Sequence, residues 1–144
     1  MSVAKADQEK TYDVSADQYY QSVTQYEQYP EHVEGMKGIR VERNGNQIVG
    51  HYDLSMMGKE ISYSLNLVED PANKAMNWTL KKSDFFTVNN GAWKITSTGS
   101  KSCKVHYSVE VEFNLPVPGF LLKGIVKSQL PAMMNSFYER AKKL

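Results

Sequence analysis

Apolar residues along this chain recur at helical spacing first, at every second position from Met36 to Leu115, and at helical spacing again to the end. Turn-forming clusters punctuate the middle stretch: Asn44-Gly45-Asn46, Met57-Gly58-Lys59, Asp70-Pro71-Ala72-Asn73, Asn89-Asn90-Gly91 and Thr98-Gly99-Ser100. A period of two between such breaks predicts a run of antiparallel strands, each with a dry face and a wet one. Ile61, Tyr63, Leu65 and Leu67 alternate with Glu60, Ser62, Ser64 and Asn66. Cys103, Val105, Tyr107, Val109, Val111 and Phe113 alternate with Lys104, His106, Ser108, Glu110 and Glu112. Met76, Trp78 and Leu80 extend the dry face in another strand, and Trp93 and Ile95 in the next. Asn89-Asn90-Gly91 reads either as a bulge or as a true turn.

Helices flank this sheet. Ser15-Ala16-Asp17-Gln18 has the capping-box spacing, in which the Ser and Gln side chains each satisfy an orphan backbone donor. Tyr19, Tyr20, Val23 and Tyr26 follow at helical intervals up to Tyr29-Pro30, where proline pushes its predecessor out of the helical region, so the helix should end near Gln28. Glu9 to Val14 reads as a short first strand, residues 1–7 ahead of it as disordered, and Pro30 to Glu34 as one more helical turn. After Leu115-Pro116-Val117-Pro118-Gly119, one stripe runs through Leu122, Val126, Leu130, Met133, Phe137, Ala141 and Leu144 at steps of three and four. Pro131, in mid-stripe, predicts a kink or a restart of the helix.

Seventeen Lys and Arg against sixteen Asp and Glu leave a formal charge of +1, too weak a field to hold nucleic acid or an anionic bilayer. Apolar runs are far shorter than a membrane span, and Met1–Lys10 lacks the apolar region of a secretory signal. The expectation is a soluble, cytoplasmic protein of one domain over residues 1–144, with no stable membrane insertion. Cys103 stands alone, which excludes an internal disulfide and a Cys-rich zinc site; its phase with Val105 and Tyr107 makes it a small packing residue.

The expected fold class is α+β: about seven strands in the order β-α-α-β6-α, with a strongly curved antiparallel sheet wrapped around a long C-terminal helix. Only the helix from Pro118 to Leu144 has the apolar length to cover the sheet's dry face. A curved sheet and a rod do not mate everywhere, and the gap between them is where an apolar pocket is expected.

Val14-Ser15-Ala16-Asp17-Gln18-Tyr19-Tyr20-Gln21-Ser22-Val23, followed by Tyr26-Glu27-Gln28-Tyr29-Pro30-Glu31-His32-Val33, resembles the opening of the START-like (SRPBCC, helix-grip) superfamily. The resemblance is closest to its polyketide cyclase/dehydrase and coenzyme Q-binding group, where a strand is followed by a helix ending in an aromatic-Pro pair and a short second helix. It implies a hydrophobic cavity beneath the C-terminal helix that takes a lipid, quinone, polyketide or other aromatic. Members of the superfamily include transfer proteins, cyclases, co-chaperone-like proteins and a ribosome-interacting toxin group, so membership leaves activity open.

The cavity wall on the sheet is expected to be Tyr63, Leu65, Trp78, Trp93, Tyr107 and Val109. On the helix it is Leu122, Val126, Leu130, Met133 and Phe137, with Phe120 in an entrance lip, Gly119-Phe120-Leu121-Leu122. Buried Tyr and Trp need partners for their polar tips, and a ligand carbonyl or a water would serve. Tyr19, Tyr20, Tyr26 and Tyr29 read as surface and staple residues. His32, His51 and His106 show no metal-ligand spacing, so no metal or other cofactor is expected. His106 should face solvent, while the facing of His51 is open. Glu110 and Glu112 share the wet face, and neither a GxSxG elbow nor a Gly-rich phosphate loop is present.

Three functions follow in order. The first is noncatalytic binding or transfer of a hydrophobic small molecule, with transient membrane contact at Phe120-Leu121 during loading. The second is an aromatase/cyclase- or dehydratase-like enzyme using Tyr63, Tyr107 or His51 in the same cavity. The third is a protein-interaction module with a filled core.

Overall fold

The computed structural model describes residues 2–56 and 58–144. Strand β1 (Ser2–Tyr12) leads through helix α1 (Ala16–Thr24), a 3-10 turn (Tyr26–Gln28) and the short α2 (Tyr29–His32) into six consecutive strands. These are β2 (Met36–Asn44), β3 (Gln47–Met56), β4 (Lys59–Asp70), β5 (Ala75–Ser83), β6 (Phe86–Gly99) and β7 (Ser102–Phe113). A C-terminal helix follows in three pieces: α3 (Gly119–Gly124), a widened π turn (Ile125–Gln129) and α4 (Leu130–Ala141). All seven strands form one antiparallel sheet, ordered β1-β7-β6-β5-β4-β3-β2, and the helix lies across its dry face. This is the α+β helix-grip arrangement that the alternating periods predict.

The Ser15 capping box forms: Ser15 Oγ accepts from the Gln18 backbone N–H at 3.1 Å, and Gln18 Oε1 accepts from the Ser15 N–H at 3.4 Å. Gly45 and Gly58 take positive φ values at hairpin turns, as their positions predict; Met57, beside Gly58, lies outside the described residues.

The first strand is longer than Glu9 to Val14. Residues 2–7, expected to be disordered, pair with β7 from Ser2 opposite Phe113 onward, while Met1 lies outside the described residues. The dry-face residues there are Ala4 and Ala6, too small to give a hydrophobic pattern, although both are buried. An ion pair from Lys5 to Glu110 at 3.1 Å spans the outer side of this edge.

Asn89-Asn90-Gly91 is neither a bulge nor a turn. All three lie inside β6, opposite Val111, Glu110 and Val109 of β7, and the β5–β6 reversal falls at Asp84-Phe85. Two register shifts in β6 lie elsewhere, between Phe86 and Val88 and between Ser97 and Gly99.

Pro131 restarts the helix, within the first turn of α4, directly after the π turn. Proline has no N–H to return to the turn before it. The carbonyl of Val126, five residues earlier, instead accepts from Gln8 Nε2 at 3.0 Å, which ties β1 to the widened segment.

Tyr19, Tyr26 and Tyr29 are not surface residues: they are 0%, 1% and 8% exposed. Each is amphipathic, and its hydroxyl reaches a buried acceptor. Tyr19 donates to the Met134 carbonyl at 2.8 Å, which docks α1 on α4. Tyr29 donates to the Val23 carbonyl. Tyr26 donates to Glu69 at 2.6 Å, and that buried carboxylate also receives Arg43 at 2.9 Å. This bridge pins the 3-10 turn to β4 and β2, and so fixes where α2 carries Tyr29 and His32.

Candidate functional site

The dry face and the C-terminal helix do not fill the space between them. A cavity of about 670 Å³ remains, within the range typical of small-molecule sites. Its sheet wall contains Tyr63, Leu65, Trp78, Trp93, Tyr107 and Val109, and its helix wall Val126, Leu130, Met133 and Phe137. The exposed lining residues Glu34 and Lys37, beside α2, and Gln129 and Ala132, on the helix, mark its mouth.

Two of the twelve residues expected to line it are elsewhere. Phe120 is 73% exposed at the start of α3 and forms no part of the wall. Leu122 packs against a second cluster, Ile61, Phe85, Phe86, Phe113 and Val117, that closes one end of the fold. The π turn accounts for Leu122, because the extra residue it accommodates rotates what precedes it out of the stripe that α4 presents, whereas Phe120 is not on that stripe.

Aromatic rings run in a chain along the wall. Trp78 stacks on Tyr107 at 5.7 Å, Tyr107 meets Trp93 at 4.5 Å, and Trp93 meets Phe137 edge-on at 5.3 Å. Phe137 continues to Tyr29 at 5.1 Å and to His32 at 4.9 Å. Tyr52, not anticipated from the sequence, also lines the cavity and stacks on Tyr63 at 5.1 Å. Gly50 makes this possible: a Cβ there would stand 2.7 Å from the Tyr52 hydroxyl.

The hydroxyls of Tyr52, Tyr63 and Tyr107 make no hydrogen bond among the described residues, yet none is sealed off. They open onto the cavity. Burial pushes all three well above the ordinary tyrosine range, and the proximity of Tyr63 raises Tyr52 and Tyr107 further. They therefore stay neutral, as hydrogen-bonding groups rather than bases. Cys103 is fully buried, and burial pushes its thiol up to about 11, so it packs as an unreactive apolar group.

The histidines separate. His51 lies outside the lining and on the opposite side of β3 from the cavity residue Tyr52, hydrogen-bonded to Ser64 at 2.7 Å and Glu42 at 2.6 Å. His106 pairs with Asp7 at 2.6 Å on the outer face. His32, which the sequence did not single out, lines the cavity. Ser136 Oγ donates to the Met133 carbonyl at 2.6 Å, so at 3.3 Å from His32 Nδ1 it is left to accept, placing the imidazole proton on Nδ1. Nε2 is buried without a hydrogen-bond partner among the described residues.

Burial first, and Arg140 second, hold the His32 imidazole below the usual histidine range, with Glu31 opposing weakly. The unfolded chain takes up a proton near pH 6.5 while the folded chain does not, so stability is full above that pH and declines as pH falls toward the folded pKa. Thermal unfolding from about pH 7.5 to about 5.5 should therefore show a smaller loss in His32→Gln than in the parent. Identical pH dependence in the two proteins would mean that the ring is not held neutral.

A curved antiparallel sheet gripping a C-terminal helix above an apolar cavity defines the START-like class. The polyketide cyclase/dehydrase and lipid transport family matches residues 12–138, and the chain belongs to that family. Among curated relatives, the ribosome association toxin RatA of Escherichia coli K12 is 24% identical over 143 residues, covering 90% of this chain and 82% of its own. The ZhuI aromatase/cyclase of a Streptomyces species superposes with a TM-score of 0.85 at 11% identity, covering 99% of this chain and 95% of that one. A START superfamily protein of Mycobacterium smegmatis gives 0.82 at 22% identity, with 96% and 97% covered. At these identities the two structures speak for the fold. Among the described residues, no helix is long and apolar enough to cross a membrane.

Proposed function

We propose that this protein is a noncatalytic carrier that takes up a neutral or weakly polar hydrophobic molecule beneath its C-terminal helix. The observation that carries this reading is the unfilled, aromatic-walled cavity of about 670 Å³, in which the hydroxyls of Tyr52, Tyr63 and Tyr107 have no hydrogen-bond partner among the described residues. Burying apolar ligand surface supplies the affinity, at about 25 cal/mol per Å² before association costs. Native mass spectrometry of the purified protein tests it directly: a retained lipid, quinone or polyketide-like mass is expected, and it should disappear on denaturation. Trp78→Ala and Tyr107→Ala should each weaken binding of an apolar fluorescent probe by about tenfold or more while circular dichroism stays unchanged. Two folded variants that bind like the parent would remove the cavity from the function.

Catalysis is the weaker reading because, among the described residues, no two titratable side chains of the lining are hydrogen-bonded to each other. His51 is outside it, His32 is held neutral, and the tyrosines have raised pKa values. The likeness to a ribosome association toxin over 90% of the chain favours docking on a large assembly as a second reading. Co-sedimentation with ribosomes that survives high salt would support docking, and its absence at low salt would dismiss it.

A further inference from the structure

The segment Asn89-Asn90-Gly91, turn-like in sequence, lies in the cavity wall. Gly91 has no Cβ because there is no room for one: it would stand 2.6 Å from Trp78 Cζ2. The indole therefore packs against β6 at Gly91 and stacks on Tyr107, and its N–H reaches Asn89 Oδ1 at 3.0 Å. An indole nitrogen only donates, so the Asn89 atom facing it is the oxygen and the amide cannot flip. Asn89 is 7% exposed and lines the cavity. Its Nδ2 has no hydrogen-bond partner among the described residues, and it is not sealed from access. A fixed pair of N–H donors thus points at the void.

The charges around the void decide what such a donor reads. The lysines of the lining, Lys5 and Lys37, are both exposed, and Lys5 is already paired with Glu110. Glu34, the lining carboxylate, is exposed as well. The lining imidazole, His32, is held neutral, so among the described residues no opposite charge stands inside for either an anion or a cation, and an unpaired charge there would keep its desolvation penalty. Resting on the carrier reading, we propose that Asn89, locked by Trp78, is the specificity-determining residue of the cavity and selects apolar ligands bearing an uncharged carbonyl oxygen over hydrocarbons and carboxylates.

Equilibrium dialysis of the full chain with three probes tests this: 2-acetylnaphthalene, the shape-matched 2-isopropylnaphthalene and the anion 2-naphthoate. The parent should prefer the ketone to the hydrocarbon by about tenfold, and to the carboxylate by at least about as much. Asn89→Leu should bring ketone and hydrocarbon within about twofold of each other. Trp78→Phe keeps a ring but frees the amide to turn, so the preference should fall there too, and this variant decides the matter if Asn89→Leu does not fold. Equal parent affinities for ketone and hydrocarbon, a carboxylate that binds tightest, or a preference that survives both variants overturns the role of Asn89 and leaves the carrier intact. Failure of all three probes to bind overturns both.

Discussion

Phe137→Ala should lower the stability of the fold by about 3–5 kcal/mol, roughly a 10–15 °C drop in melting temperature for a chain of this size. The ring is 1% exposed and sits where three elements converge, meeting Trp93 of β6 at 5.3 Å, Tyr29 of α2 at 5.1 Å and His32 at 4.9 Å. Removing it takes a large apolar side chain from the boundary between core and cavity, where the neighbours already border empty space and have little to collapse onto. The natural control is Phe120→Ala: with 73% of that residue exposed, the change should stay within about 0.5 kcal/mol. Far-UV circular dichroism melts of both variants read the difference directly. Comparable losses would mean that α4 is not the element that seals the sheet.

The helix contact was legible because periodicity reports which residues share a face, and Val126, Leu130, Met133 and Phe137 all reach the cavity. The stripe failed at Leu122, where a π turn changes the register without any residue type that announces it except Pro131 downstream. Alternation in β4 and β7 likewise placed Tyr63, Leu65, Tyr107 and Val109 on the wall. What sequence patterning could not show is which amphipathic residues find buried acceptors. Tyr19 and Tyr26 look like surface residues until the Met134 carbonyl or the Glu69 carboxylate comes within reach from a distant helix or strand, and Tyr29 until its hydroxyl turns back to the Val23 carbonyl of α1. His32 was hidden for the same reason, since its environment is made by Ser136, Phe137 and Arg140, more than a hundred residues away.

The segment Asn89-Asn90-Gly91 shows where local propensity yields to tertiary demand. Asn and Gly favour turns when nothing else constrains them. Here a polar side chain is wanted inside, where the Trp78 indole meets it, and a missing side chain where β6 closes on the Ser108 backbone oxygen of β7 and on the indole ring. The same residues that weaken the strand pattern furnish the most specific polar feature of the cavity.

Gly91→Ala should therefore be costly although it adds a single methyl group. Its Cβ would stand 2.2 Å from the backbone oxygen of Ser108 on β7 and 2.6 Å from the Trp78 ring, and the backbone contact cannot be relieved by a rotamer change. We expect a loss of about 3 kcal/mol, the upper part of the range for overpacking, measured by urea unfolding. Gly99→Ala, whose nearest neighbour would be an ordinary 3.7 Å away, should change stability by less than about 0.5 kcal/mol. Adding Trp78→Ala to Gly91→Ala separates the two clashes. If the ring were the main obstacle, the double variant would be no less stable than Trp78→Ala alone. The expected result is that most of the Gly91→Ala loss persists, because β7 remains in the way. A Gly91→Ala protein as stable as the parent would mean that β6 and β7 do not approach this closely, and that the seat of the indole over β6 has some other cause.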